Sequence, residues 1–81
     1  NQRVLVVMSL TRVKAIVDKK GNDMCFIEGQ DETGSVDGVV FSSTYKQYQD
    51  IFERGNVVLI EGKVDYRDKL SLIVQKVKKV V

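Results

Sequence analysis

The chain has 81 residues, with 13 Lys and Arg against 11 Asp and Glu for a net charge of +2, a single Cys, and no His, Pro or Trp. That length allows one small domain, which buries only about 60% of the surface its unfolded chain exposes. The missing histidine and the lone cysteine exclude zinc sites of the usual kind, Ser-His-Asp and Cys-His nucleophile pairs, and the commonest general base near neutral pH.

Apolar residues recur through Val4, Val6, Val7, Leu10, Val13, Ile16 and Val17 without a helical stripe, broken midway by Ser9-Leu10-Thr11. The run predicts a first strand of about 14 residues, long enough to bend and pair with two neighbours. Lys19-Lys20-Gly21-Asn22-Asp23 then supplies a strand-reversing loop. Strand 2 is expected over Met24 to Gln30, with Cys25, Ile27 and Gly29 on one face and Met24, Phe26, Glu28 and Gln30 on the other. Cys25 reads as a small buried hydrophobe, which suits a reducing, cytoplasmic setting.

Asp31-Glu32-Thr33-Gly34 turns the chain into strand 3, Ser35 to Phe41, whose core face is Val36, Gly38 and Val40. From Thr44 the period becomes helical. Thr44 with Gln47 is a capping-box signature, Tyr45, Tyr48, Ile51 and Phe52 form one stripe, and Gly55 stands where a helix C-terminal glycine belongs. Strand 4 follows over Val57 to Asp65, a turn over Tyr66-Arg67-Asp68-Lys69, and strand 5 from Leu70 to about Val77. The order is three strands, one helix, two strands. This all-β pattern with one helix between strands 3 and 4 predicts a five-stranded Greek-key barrel of the OB type, the helix plugging one end. An open five-stranded sheet with a packed helix is the competing arrangement.

The stretches Val13-Lys14, Lys19-Lys20-Gly21, Met24-Cys25-Phe26-Ile27, Asp31-Glu32-Thr33-Gly34-Ser35, Val39-Val40-Phe41, Tyr45-Lys46-Gln47-Tyr48 and Val58 to Val64 span nearly the whole chain. Together they resemble the OB domain of the bacterial replicative DNA polymerase III alpha subunit. Part of the pattern is shared with the OB domains that class II synthetases for Asp, Asn and Lys use on their tRNA. The resemblance implies a non-catalytic module of a DNA-directed DNA polymerase that grips the single-stranded template, with the other polymerase domains and replisome subunits as partners. By position it also implies that Phe26 stacks on a base. Residues 1–81 are then expected to be one OB domain excised from a longer chain, monomeric, needing no metal or cofactor and binding no membrane.

Three positions depart from the family: Gly29 and Gly38 stand where a large aliphatic or other side chain is usual, and Met8 where Gly is common. Met8 is expected to fill the volume the two glycines vacate. Ser42-Ser43 also replaces a common Pro.

The charge is unevenly divided: residues 1 to 20 carry +4, residues 21 to 55 carry −5 and residues 56 to 81 carry +3. The usual OB ligand path crosses strands 2 and 3 between loops 1-2 and 4-5. Phe26 is therefore the expected stacking platform. Lys19 and Lys20 on loop 1-2, Arg67 and Lys69 on loop 4-5, and Arg12 and Lys14 at the end of strand 1 are the expected phosphate clamps. Phe41 is expected to be partly buried, and Tyr66 to serve either turn packing or a second stack. Glu28 and Asp37 lie on the same face and weaken the hold on a polyanion. Two alternatives therefore stand beside single-stranded DNA: an anticodon-binding domain, and an OB domain that docks another protein.

Overall fold

The computed structural model describes residues 2–66 and 70–80. Its elements are β1 (Arg3–Val17), β2 (Asp23–Asp31), β3 (Gly34–Val40), α1 (Ser42–Tyr48) with a 3-10 turn over Gln49–Ile51, β4 (Val57–Tyr66) and β5 (Leu70–Lys79). The strands close into a barrel in the order β1-β2-β3-β5-β4, the five-stranded OB arrangement, and the open sheet is ruled out.

Closure depends on the length of β1. Its first half, Arg3 to Ser9, pairs with β4, and its second half, Ser9 to Val17, pairs with β2. The change of partner falls at a bulge between Leu10 and Arg12. The extra residue there, Thr11, donates its hydroxyl hydrogen to the Glu28 carbonyl at 3.0 Å, which ties the bend to β2. Closure is completed by a short parallel pairing of β3 with β5, Asp37 to Val39 against Ser71 to Ile73.

Inward residues alternate along β3 and β4. On β2, however, Met24, expected on the outward face, is buried beside Cys25. The alternation also breaks after Leu10 on β1 and between Val74 and Val77 on β5, where those two strands carry bulges. Met8, Leu10, Cys25, Ile27, Val40, Val58, Ile60, Leu72, Val74 and Val77 form the core, joined by Phe52 from beneath the helix. Tyr45 packs on Phe52 with ring centroids 6.2 Å apart, and Tyr48 and Ile51 also lean on the core, as their spacing predicts.

The helix differs from its sequence signature. It begins at Ser42 with Phe41 as N-cap and no side-chain cap, so Thr44 lies inside the first turn and the Thr44–Gln47 capping box does not form. The cause is the short junction: β3 ends at Val40, Phe41 keeps an extended backbone (φ −69°, ψ 163°), and the Tyr45 N–H already bonds the Phe41 carbonyl at 2.9 Å. Gly55 takes φ +95°, the left-handed geometry its position calls for, but in a turn beyond the 3-10 segment. There its N–H donates to the Leu10 carbonyl at 2.8 Å, so it anchors the β1 bend instead of ending the helix.

Met8 does fill the space beside Gly29: a Cβ there would lie 2.5 Å from the Met8 sulfur and 3.0 Å from its Cγ. Gly38 is filled from elsewhere, its nearest neighbours being Ile27 Cγ1 and Cδ1 at 3.0 and 3.2 Å. Compensation for the two glycines is thus divided between Met8 and Ile27.

Candidate nucleic-acid interface

The outward face of β2 and β3 is organised in rows set by strand register. Residues directly opposite one another share a face, and their side chains are neighbours. One row runs Arg12, Glu28, Asp37, Ser71 from β1 through β2 and β3 to β5. The next runs Lys14, Phe26, Val39, Ile73 over the same strands.

Phe26 is 42% exposed, its ring standing on this face between two grooves. The first groove is lined by Arg12, Lys14, Glu28, Asp37 and Ser71 besides Phe26 itself. The second brings Met24, Val39, Phe41, Asp65 and Ile73 around the other side of the ring. An exposed aromatic with open space on both sides and an ammonium opposite it is the local geometry for stacking a base while a phosphate is held nearby.

Arg12 and Lys14 are not at the end of β1, which continues to Val17. They stand opposite Glu28 and Phe26 and so belong to the face itself. Lys19 and Lys20 are exposed on loop 1-2, whose shape comes from Asp18. The Asp18 Oδ1 accepts the N–H groups of Lys20 and Asn22, both at 2.9 Å, and the Asp18 carbonyl accepts the Gly21 N–H at 3.0 Å. Gly21 supplies the positive φ of +85° that closes this loop. Asp18 was visible in the sequence only as one charge offsetting two lysines; its role in presenting them depends on its two backbone partners.

Phe41 is 51% exposed, more than a residue leading into a helix is expected to be, because the extended backbone at the β3–α1 junction swings its ring outward beside Met24. Tyr66 ends β4 and is 74% exposed. Arg67 and Lys69 lie outside the described residues. Sequence reasoning missed Val39, Ser71 and Ile73 as parts of this surface. Val39 was visible on the face of Phe26, but Ser71 and Ile73 join it only through the parallel β3–β5 contact, which leaves no local pattern.

The titratable chemistry of the site is simple. Burial pushes the Cys25 thiol up to about 11, so it stays protonated and inert in the folded chain. At the β2–β3 turn, Asp31 Oδ1 accepts the Thr33 hydroxyl and N–H, both at 2.7 Å, and the Gly34 N–H at 3.0 Å. These donors, the hydroxyl foremost, hold its carboxyl below the usual range. Among the described residues no three of the metal-ligating type gather to hold an ion, and no helix is long and apolar enough to cross a membrane.

Residues 4–80 match the family model described as OB-fold nucleic acid binding domain. The alpha subunit of DNA polymerase III from Borreliella burgdorferi is 39% identical over 70 residues, covering 84% of this chain, and the one from Staphylococcus aureus strain Mu50 is 27% identical over 73 residues, covering 89%. The chain spans only 6% and 7% of the length of those two relatives. Among solved structures, the mitochondrial single-stranded DNA binding protein Rim1 of S. cerevisiae superposes with a TM-score of 0.77 at 11% identity, covering 98% of this chain and 93% of that one. The second OB-fold domain of replication protein A from Methanococcus maripaludis gives 0.59 at 18% identity, covering 96% and 81%. At those identities the structural likeness concerns the fold.

Proposed function

Because the chain belongs to the OB-fold nucleic acid binding domain family, we infer that its β2–β3 face holds single-stranded DNA, as the template-gripping module of a bacterial DNA polymerase III alpha subunit. The observation that carries this reading is the exposed Phe26 ring with Lys14 directly opposite and Lys19 and Lys20 on the adjoining loop. Phe26 stacks a base, sequence-tolerantly, since every base offers a π face. Arg12, Lys14, Lys19 and Lys20 contact phosphates, joined by Arg67 and Lys69 from the β4–β5 turn, while Phe41 and Tyr66 offer further stacking surface. Polymerisation belongs to the rest of the longer polypeptide, and its other domains and the replisome subunits are the protein partners.

Titration of fluorescent oligo-dT, a tRNA anticodon stem-loop and duplex DNA at two salt concentrations tests this. Binding is strongest to oligo-dT, with a log–log salt slope of roughly −2 to −3, for three or four phosphates neutralised among these six cationic side chains at about 0.7 per phosphate. Phe26→Ala lowers affinity by roughly 5- to 150-fold, the equivalent of about 1 to 3 kcal/mol of stacking. Lys19→Ala with Lys20→Ala flattens the salt slope. A sequence-selective preference for the stem-loop defeats the template reading. A second reading, docking of a protein surface, is favoured by the carboxylates of Glu28 and Asp37 on this face, and failure to bind any of the three nucleic acids at low salt selects it.

A further inference from the structure

The rows described above do not stop at β5. Ile73 stands opposite Lys63 on β4, and Lys63 opposite Arg3 at the start of β1. The row holding Phe26 therefore reads Lys14, Phe26, Val39, Ile73, Lys63, Arg3 and encircles the barrel, with no carboxylate in it. Five steps at the usual strand spacing make a path of about 24 Å. The neighbouring row is of different character: from Ser71 it continues to Asp65, so that Glu28, Asp37 and Asp65 stand in it with Arg12 at its β1 end.

The groove beside Phe26 follows this row across Val39 as far as Ile73 on β5, and at β4 it is bounded by Asp65 of the neighbouring row. Arg3 and Lys63 are both exposed and directly opposite each other. Like charges so placed destabilise a sheet, and they become favourable when a polyanion lies across both.

We propose that the bound single strand leaves the β2–β3 face across Ile73 and runs over β4, where Lys63 and Arg3 contact its phosphates. The row of carboxylates forms the wall that keeps the phosphate chain on this track. Glu28 and Asp37 then steer the strand instead of simply weakening its binding. This path rests on the single-strand reading of the β2–β3 face and extends it by two cationic side chains that nothing in the local sequence marks.

The test compares oligo-dT of about four and about twelve nucleotides, both within the site sizes of about 4 to 16 nucleotides found for single OB domains. For the longer oligonucleotide, Lys63→Gln and Arg3→Gln each reduce the salt slope by about 0.7, and for the shorter one they leave it unchanged. The same substitutions relieve the like-charge pair, so the melting temperature without DNA stays the same or rises, which separates a lost contact from a damaged fold. Equal slopes for wild type and both variants on the longer oligonucleotide, with Phe26→Ala still weakening it, overturn the path and leave the β2–β3 reading standing. If the unsubstituted chain binds neither length, both fail together.

Discussion

Replacing Gly29 by Ala isolates the packing device that distinguishes this barrel. The added Cβ would stand 2.5 Å from the Met8 sulfur, 3.0 Å from Met8 Cγ and 3.0 Å from the Ser9 carbonyl oxygen. Met8 is flexible, but it is 1% exposed and enclosed by the core, and the Ser9 oxygen is backbone, so neither yields freely. Overpacking of this kind costs about 1 to 3 kcal/mol, and a domain of this size loses about 4 to 8 °C of melting temperature for each kcal/mol. In a Met8→Ala background, which by itself costs about 2 to 5 kcal/mol, the clash with the Met8 side chain is gone and only the tight approach to the Ser9 carbonyl remains. Gly29→Ala then costs markedly less than in the wild-type chain, and the double-mutant cycle shows a coupling of about 1 to 3 kcal/mol. Urea unfolding followed by far-UV circular dichroism measures all four variants. An equal cost for Gly29→Ala in both backgrounds refutes the claim that Met8 occupies the volume of a side chain at position 29.

Gly62→Ala is more damaging than Gly29→Ala, because its Cβ would run into the Ile73 carbonyl, a backbone atom of the paired strand, and no side-chain rotation relieves it; the comparison is read from the same urea curves. Asp31 has its folded-state carboxyl held down by Thr33 and Gly34, so the stability it contributes is present above the ordinary carboxylate range, near pH 4, and is lost as pH falls through its depressed value. Asp31→Asn removes that part of the acid dependence of the melting temperature, and an unchanged pH profile contradicts the assignment. For Cys25 the folded value of about 11 exceeds the ordinary 9.0, so its contribution is intact below pH 9 and declines as pH rises from there towards 11. In native buffer at pH 8 a thiol reagent reacts with Cys25 only as fast as the chain opens, and labelling that is rapid and independent of added denaturant contradicts its burial.

The element order, the alternation of β2 and β3, and the packing of Tyr45, Tyr48 and Phe52 were legible because each rests on spacing along one segment. The N-cap, expected at Thr44, lies three residues earlier at Phe41 because a capping signature is also only local: Thr44 has the right side chain, but β3 had already delivered the chain into the helix at Ser42. The volume balance at Gly29 was visible as an oddity of composition. The partner of Gly38 is Ile27, the residue directly opposite it on β2, which only the exact register of the β2–β3 hairpin fixes.

The candidate site divides along the same line. Phe26, its outward face and the lysines of loop 1-2 follow from period-two alternation and turn chemistry, so the residues alone determined them. What only the tertiary structure decided is which strands lie side by side. The bulge at Thr11 lets β1 serve two partners, and three residue pairs between β3 and β5 close the barrel. Those contacts join positions far apart in the chain, and from them come the two rows: one of cations and apolar side chains around Phe26, the other of carboxylates beside it. Such pairing is paid for by the whole core at once, and no short stretch of sequence records it.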